Sequence, residues 1–215
     1  MQGRRKLALL EPAALFLFLM GYIWIWRASH PYLWVAILAC LLLSHAVHRE
    51  GARELGFGRA SLVECTHRFG PLLTVLALIM LAGGLLLNTT RRMPADQAFL
   101  ALFAYLPWGV LQQYMLNGYF LNRFDCALGP RASAWLTAAL FGVVHTPNWF
   151  LMIVGVVGGW CATQVYRRHR NLYFLGIAHA TIGFLLFVTV PDSISHHLNI
   201  GPGQLHRRQV HRVVQ

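Results

Sequence analysis

A chain of 215 residues that is 57% hydrophobic and 12% charged carries about half the charge of an average soluble domain, where about 25% of residues are charged. With a mean hydropathy of +0.51 it reads as an integral, all-α membrane protein. Its formal charge of +11, from 18 basic and 7 acidic residues, falls between apolar runs. It therefore anchors the chain at the membrane surface, and the absence of a basic, aromatic-lined module excludes nucleic acid as a partner.

The basic start Arg4-Arg5-Lys6 leads into Leu7 to Trp26, the first expected span. It is longer than a cleaved leader's apolar core and lacks a small-x-small site, so it is expected to stay. Glu11 lies near its end, where a carboxylate reaches the headgroups. Pro31 to Val47 is the second span, with Trp34, His45 and His48 read as interfacial residues. The connector His48 to Gly70 carries Arg49, Arg53, Arg59 and Arg68. Its apolar positions make no strict helical stripe, so short surface helices are expected there.

Pro71 to Asn88 is the third span, and its Gly83-Gly84 pair suggests close helix packing. The fourth, Ala98 to Leu121, contains Pro107, where a bend is expected. Ala132 to Phe150, Leu151 to Tyr166 and Leu172 to Val190 complete about seven spans. Cys40, Cys65, Cys126 and Cys161 have no close pairing and read as reduced core residues. The chain divides into N-terminal helices with the connector (1–97), core helices (98–190) and a basic tail (191–215). That tail, with His196, His197, His206 and His211, reads as solvated. Seven spans with an inner N-terminus leave twelve basic residues inside and six outside, which fits the positive-inside rule.

Tyr105 to Leu121, YLPWGVLQQYMLNGYFL, places Gln112, Gln113 and Asn117 inside an apolar run. An unpaired amide in hydrocarbon costs about 2 kcal/mol or more, so these side chains should face other polar groups. Gln113 and Asn117 are four apart and share a helix face, with Gln112 about 100° round. The other polar side chains deep in nearby apolar runs are His145 and His179. The three segments are expected to meet at one polar site.

The order of these residues resembles a known family. Gln112-Gln113-x-x-x-Asn117-Gly118, then Phe141-x-x-x-His145, then His179-x-x-x-Gly183 is similar to the E-E-x-x-x-R, F-x-x-x-H and H-x-x-x-N/D motifs of the CPBP family, the CAAX-protease and bacteriocin-processing intramembrane endopeptidases. The Glu54 to Arg59 string resembles that family's upstream region. The resemblance implies a catalytic set of Gln112, Gln113, His145 and His179, with Asn117, Phe141 and Gly183 lining the site. It also implies a location in a bacterial-type plasma membrane. In the family a glutamate activates water, and the polar side chain after the last histidine helps hold the oxyanion. Here glutamines replace both glutamates, Asn117 replaces the arginine and Gly183 the last polar residue.

A glutamine orients water but takes no proton at neutral pH. The expected function is therefore a CPBP-like membrane protein, acting on or binding membrane-associated or prenylated peptides, with proteolysis weakened or carried by a histidine base. The alternative is a non-catalytic scaffold holding a lipid, isoprenoid or partner helix. A third reading makes His145 and His179 axial haem ligands or metal ligands. Two histidines without carboxylate or thiolate partners make a poor divalent site, so no cofactor is expected. The plainest reading is that these side chains only tie helices together, at about 0.6 kcal/mol per hydrogen bond.

Overall fold

The computed structural model describes residues 2–205, with side chains from Ala8 onward. Expectations for the side chains of Arg4, Arg5 and Lys6, and for His206, Arg207, Arg208, His211 and Arg212, lie outside it. No strand occurs among the described residues. The helices are α1 (Gln2–Gly21) with a π-helical continuation Tyr22–Trp26, α2 (Trp34–His48), α3 (Arg59–Leu86) and α4 (Ala95–Gln113). A second π-helical stretch, Tyr114–Leu121, leads into α5 (Asn122–Leu128), followed by α6 (Pro130–Val143), α7 (Trp149–Arg168), α8 (Leu172–Thr189) and the short α9 (Asp192–Ser195).

Among the described residues six helical segments are long and apolar enough to cross a membrane: Ala8–Trp26, Pro31–His48, Arg59–Leu86, Ala95–Leu128, Trp149–Arg168 and Leu172–Thr189. On α3 the side chains Leu72, Val75, Leu78 and Ile79 are exposed, a surface that lipid covers and water does not favour. The all-α membrane architecture matches the sequence reading, whereas the count is six and not seven. The missing segment is the expected Ala132–Phe150 span. Its helix α6 has 14 residues, about 21 Å at 1.5 Å per residue against a hydrocarbon core of about 30 Å. It ends at Val143 because Pro147 offers no N–H and restricts Thr146 before it.

A further boundary differs. The helix expected from Pro71 begins at Arg59 and runs through the proline. Tertiary contacts hold that early part: Ser61 Oγ donates to the Arg170 carbonyl at 3.2 Å, and Cys65, fully buried, points its thiol at the His169 carbonyl. Pro107 lies inside α4, within the helix expected there. The departure from regular α geometry comes seven residues later, where the helix widens into π-helical bonding at Tyr114.

The chain divides into two compact units. The first comprises Met1–Gly51, Met115–Thr163 and the chain from Asn199. In it α1 packs on α2 and α5, and α5 on α6. Leu15, Leu41, Leu116, Phe120, Leu121 and Phe124 are buried there, and the Phe16 and Phe120 rings meet edge to face at 6.2 Å.

The second unit comprises Ala52–Tyr114 and Gln164–Leu198, with α8 packed against α4 and α3. Small residues permit the α4–α8 approach: a Cβ at Gly109 would lie 3.2 Å from Ala180 Cβ, the close packing favoured between membrane helices. Of the Gly83-Gly84 pair only Gly84 is a packing site, since a Cβ there would sit 2.8 Å from Thr189 Cβ and one at Gly83 would meet nothing within 4 Å. The connector docks on the α7–α8 junction. Gly56, at φ 96°, accepts from the Leu172 N–H at 3.0 Å. Asn171 accepts from the Phe174 N–H at 2.7 Å as the N-cap of α8 and donates to the Gly58 carbonyl at 2.7 Å.

The expectation of a solvated tail from residue 191 is corrected over its described part. Ser195 and Gln204 are buried, Asp192 pairs with Arg91 at 2.5 Å and with His197 at 3.0 Å, and Gly201 is hydrogen-bonded into the first unit. The backbone of this segment finds partners that its polar composition does not advertise.

Candidate functional site

In the second unit, the end of α4 and the middle of α8 bring two candidate residues together. Gln113, 3% exposed, donates from Nε2 to His179 Nδ1 at 3.2 Å. An amide nitrogen only donates, so the imidazole nitrogen facing it accepts, and the neutral His179 carries its proton on Nε2. Gln112 on the same turn buries its Oε1 without a hydrogen-bond partner, an acceptor whose desolvation costs about 1–3 kcal/mol.

Tyr105, two turns before Gln113, lies with its ring 6.2 Å from that of His179. Its ring fills the space beside Gly183: a Cβ at 183 would sit 2.6 Å from Tyr105 Cε1 and 3.2 Å from its hydroxyl. The departure at position 183 therefore has a steric partner in this chain. Gly183→Asn is expected to destabilise the protein by about 1–3 kcal/mol through overpacking, and Tyr105→Ala in the same chain should recover most of the loss. Unfolding in mixed micelles measures both.

In the first unit, His145 lies just past the end of α6. Its Nδ1 donates to the Phe141 carbonyl at 2.6 Å, and the two rings meet edge to face at 5.0 Å. A carbonyl only accepts, so Nδ1 carries the proton and the neutral ring presents Nε2 as an acceptor. His145 and His179 thus hold opposite tautomers. Gly155 on α7 makes room for this arrangement, because a Cβ there would lie 3.0 Å from the Phe141 carbonyl oxygen and 3.2 Å from His145 Nδ1. Asn148 closes the turn that follows His145: fully buried, it accepts from the Leu151 N–H at 3.2 Å and caps α7. Asn117, also fully buried, lies in the π-helical stretch. There the i→i+5 bonding replaces the 100° step assumed from sequence.

A charged cluster in the first unit was not expected. Arg123, 4% exposed, donates to both Glu50 carboxylate oxygens at 2.8 and 2.7 Å and to Ser44 Oγ at 2.9 Å. It also faces Glu11 at 3.4 Å. Glu11 accepts from Tyr119 OH at 3.1 Å and from Ser44, and pairs with His48 at 3.1 Å, while His45 meets Glu50 at 2.6 Å. Glu11, read from sequence as a headgroup contact, and His45 and His48, read as interfacial, are members of this network. No linear spacing links positions 11, 44, 50 and 123. The only sequence signal was the scarcity of acids, 7 in the chain, which makes each one a candidate partner for a buried arginine.

Five of the seven carboxylates are engaged with partners other than the candidate residues. Glu11 and Glu50 are held by Arg123, Asp125 by Ser133, Asp192 by Arg91 and Glu64 by His169. Among the described residues no group of three or more His, Cys, Asp or Glu could hold a metal ion. The four cysteines are free thiols.

Residues 94–185 match the family model described as type II CAAX prenyl endopeptidase Rce1-like. That stretch contains all three motifs, from Gln112-Gln113 through Phe141 and His145 to His179 and Gly183. It forms an Rce1-like domain of the CPBP family. No curated protein and no solved structure matches the chain.

Proposed function

We propose, from the Rce1-like domain formed by residues 94–185, that this membrane protein binds membrane-associated peptides, prenylated ones among them, through amides and imidazoles. Hydrolysis at that site is weakened because no carboxylate stands at positions 112 and 113. The observation that carries this reading is the Gln113–His179 hydrogen bond at 3.2 Å. An amide occupies the place of a proton-accepting group and ties up the histidine nitrogen that a carboxylate would otherwise have made a donor.

The opposite tautomers assign roles. In the first unit the Nε2 lone pair of His145 serves as a base for what hydrolysis remains, and in the second the Gln113–His179 pair is a neutral hydrogen-bonding group for a peptide main chain. In such a step water attacks the peptide carbonyl, His145 takes the water proton, and the same proton is returned to the leaving amine. Burial holds the His145 imidazole below its ordinary value of about 6.5, so it stands neutral at pH 7 and able to take the water proton. Gln112 Oε1, buried and unpartnered, is an acceptor for a bound peptide N–H.

Purified protein in detergent, presented with a prenylated CAAX-type peptide, tests the assignment. Turnover is expected to be slow, on the order of 10²- to 10⁴-fold below that of an enzyme with its general base, and to vanish in His145→Ala. Slow turnover that persists unchanged in His145→Ala would contradict the assignment.

A further inference from the structure

The turn that carries His145 is occupied by the chain's own C-terminal segment. Two of its polar contacts read main chain. The Asn148 side chain donates from Nδ2 to the Asn199 carbonyl at 3.1 Å, and the Thr146 carbonyl accepts from the Gly201 N–H at 2.8 Å. The segment turns at Gly201 and runs into a helical stretch at 202–205, so the carbonyl and the N–H two residues later belong to a turn that is gripped by its main chain, regardless of its side chains. Asn148 is poised for this because its Oδ1 is already committed to the α7 N-cap, which leaves its Nδ2 as the donor to Asn199.

Two features show that the segment fits this cradle imperfectly. Gly201 sits at φ 62°, and a Cβ there would lie 3.0 Å from Ile23 Cγ2, so only glycine allows the approach. Gln204 is 2% exposed, yet both Nε2 and Oε1 are buried without a hydrogen-bond partner. Burying an unpaired primary amide opposes docking. The main chain is recognised while the side chain at 204 is penalised, which is the signature of an occupant that can leave.

We infer that Thr146 and Asn148 form a binding site for the main chain of a peptide turn, and that Asn199–Gln204 is a releasable strap filling it. The better ligand carries an apolar side chain where Gln204 stands, because the pocket around that amide supplies no polar partner. Release of the strap bares the turn that bears His145. Its consequence for peptide processing rests on the role proposed for His145, whereas the strap and its cradle do not.

Three single substitutions in the full-length protein test this without using turnover. The readouts are amide hydrogen exchange over residues 144–150 and the rate at which diethyl pyrocarbonate modifies His145, resolved by peptide mass. Gly201→Val is expected to undock the strap and raise both rates about tenfold or more, since a β-branched residue fits neither the left-handed backbone nor the space beside Ile23. Gln204→Leu removes the unpaired amide at similar volume and should lower both rates about fivefold. Gly203→Ala, where a Cβ meets nothing within 4 Å, should leave them unchanged.

An acetylated and amidated hexapeptide with the sequence of Asn199–Gln204 and leucine at its last position should restore protection to the Gly201→Val protein. Rates in Gly201→Val equal to those of Gly203→Ala, faster rates in Gln204→Leu, or no protection by the peptide would each overturn the inference. If Gly201→Val fails to fold by circular dichroism, the direction of the Gln204→Leu effect still decides. Loss of all peptide cleavage with these exchange results intact would overturn the proposed chemistry and leave the strap standing.

Discussion

Replacing Gln112 and Gln113 with glutamate and Asn117 with arginine in one chain is expected to raise cleavage of a prenylated CAAX-type peptide by 10²- to 10⁴-fold. That is the usual return on a general base and corresponds to about 3–5 kcal/mol of barrier. The substitution also resets the histidine beside it. A carboxylate at 113 only accepts, so His179 Nδ1 would have to donate to it, and the imidazole would switch to the opposite tautomer with Nε2 as an acceptor. The arginine accompanies the acids because two added buried charges without a partner would destabilise the helix that holds them. A folded triple variant that cleaves no faster than the parent would show that the missing carboxylates are not what limits the reaction.

The second large effect concerns stability. Arg123→Met is expected to cost about 3–5 kcal/mol, because it leaves Glu11 and Glu50 without the guanidinium that pairs them. The lower end applies, since those carboxylates keep 27% and 24% exposure. Adding Glu50→Gln to Arg123→Met should return part of the loss, an outcome that simple loss of packing would not give. Unfolding in mixed micelles reads both.

The same cluster sets an acid limit. Burial alone raises the Glu50 carboxyl, but the Arg123 hydrogen bonds and His45 outweigh it and hold Glu50 below its ordinary value of 4.5. A carboxyl lowered on folding contributes stability above that ordinary value, and the contribution is lost as pH falls through the folded-state value. Stability should therefore fall below about pH 4.5 in the parent and fall less steeply in Glu50→Gln.

What the sequence made legible follows from how far each signal reaches along the chain. Apolar run length located the membrane helices, because span length is a local property. The same rule failed at α6, where 19 residues from Ala132 to Phe150 are apolar enough but Thr146-Pro147 ends the helix early. Proline was also misleading in the other direction at Pro71, which is carried inside α3, since tertiary contacts such as Cys65 with His169 outweigh a single lost bond.

Gln113 and His179 were chosen because polar groups in apolar runs need partners, and 66 residues apart in sequence they do find each other. The space at Gly183 filled by Tyr105, and the Arg123 network, depend on contacts between positions with no common period. No linear pattern encodes them. The π-helical stretch at Tyr114 is likewise invisible to a reading that assumes 3.6 residues per turn.

Binding of a farnesylated CAAX-type peptide to the purified full-length protein in lipid nanodiscs, measured by calorimetry for the parent and for His179→Ala, tests the amide-and-imidazole site most directly. The parent is expected to bind the peptide saturably, and His179→Ala, which removes both the donor and the anchor of Gln113, to weaken binding tenfold or more. A parent that does not bind, or binding indifferent to His179, would contradict the account.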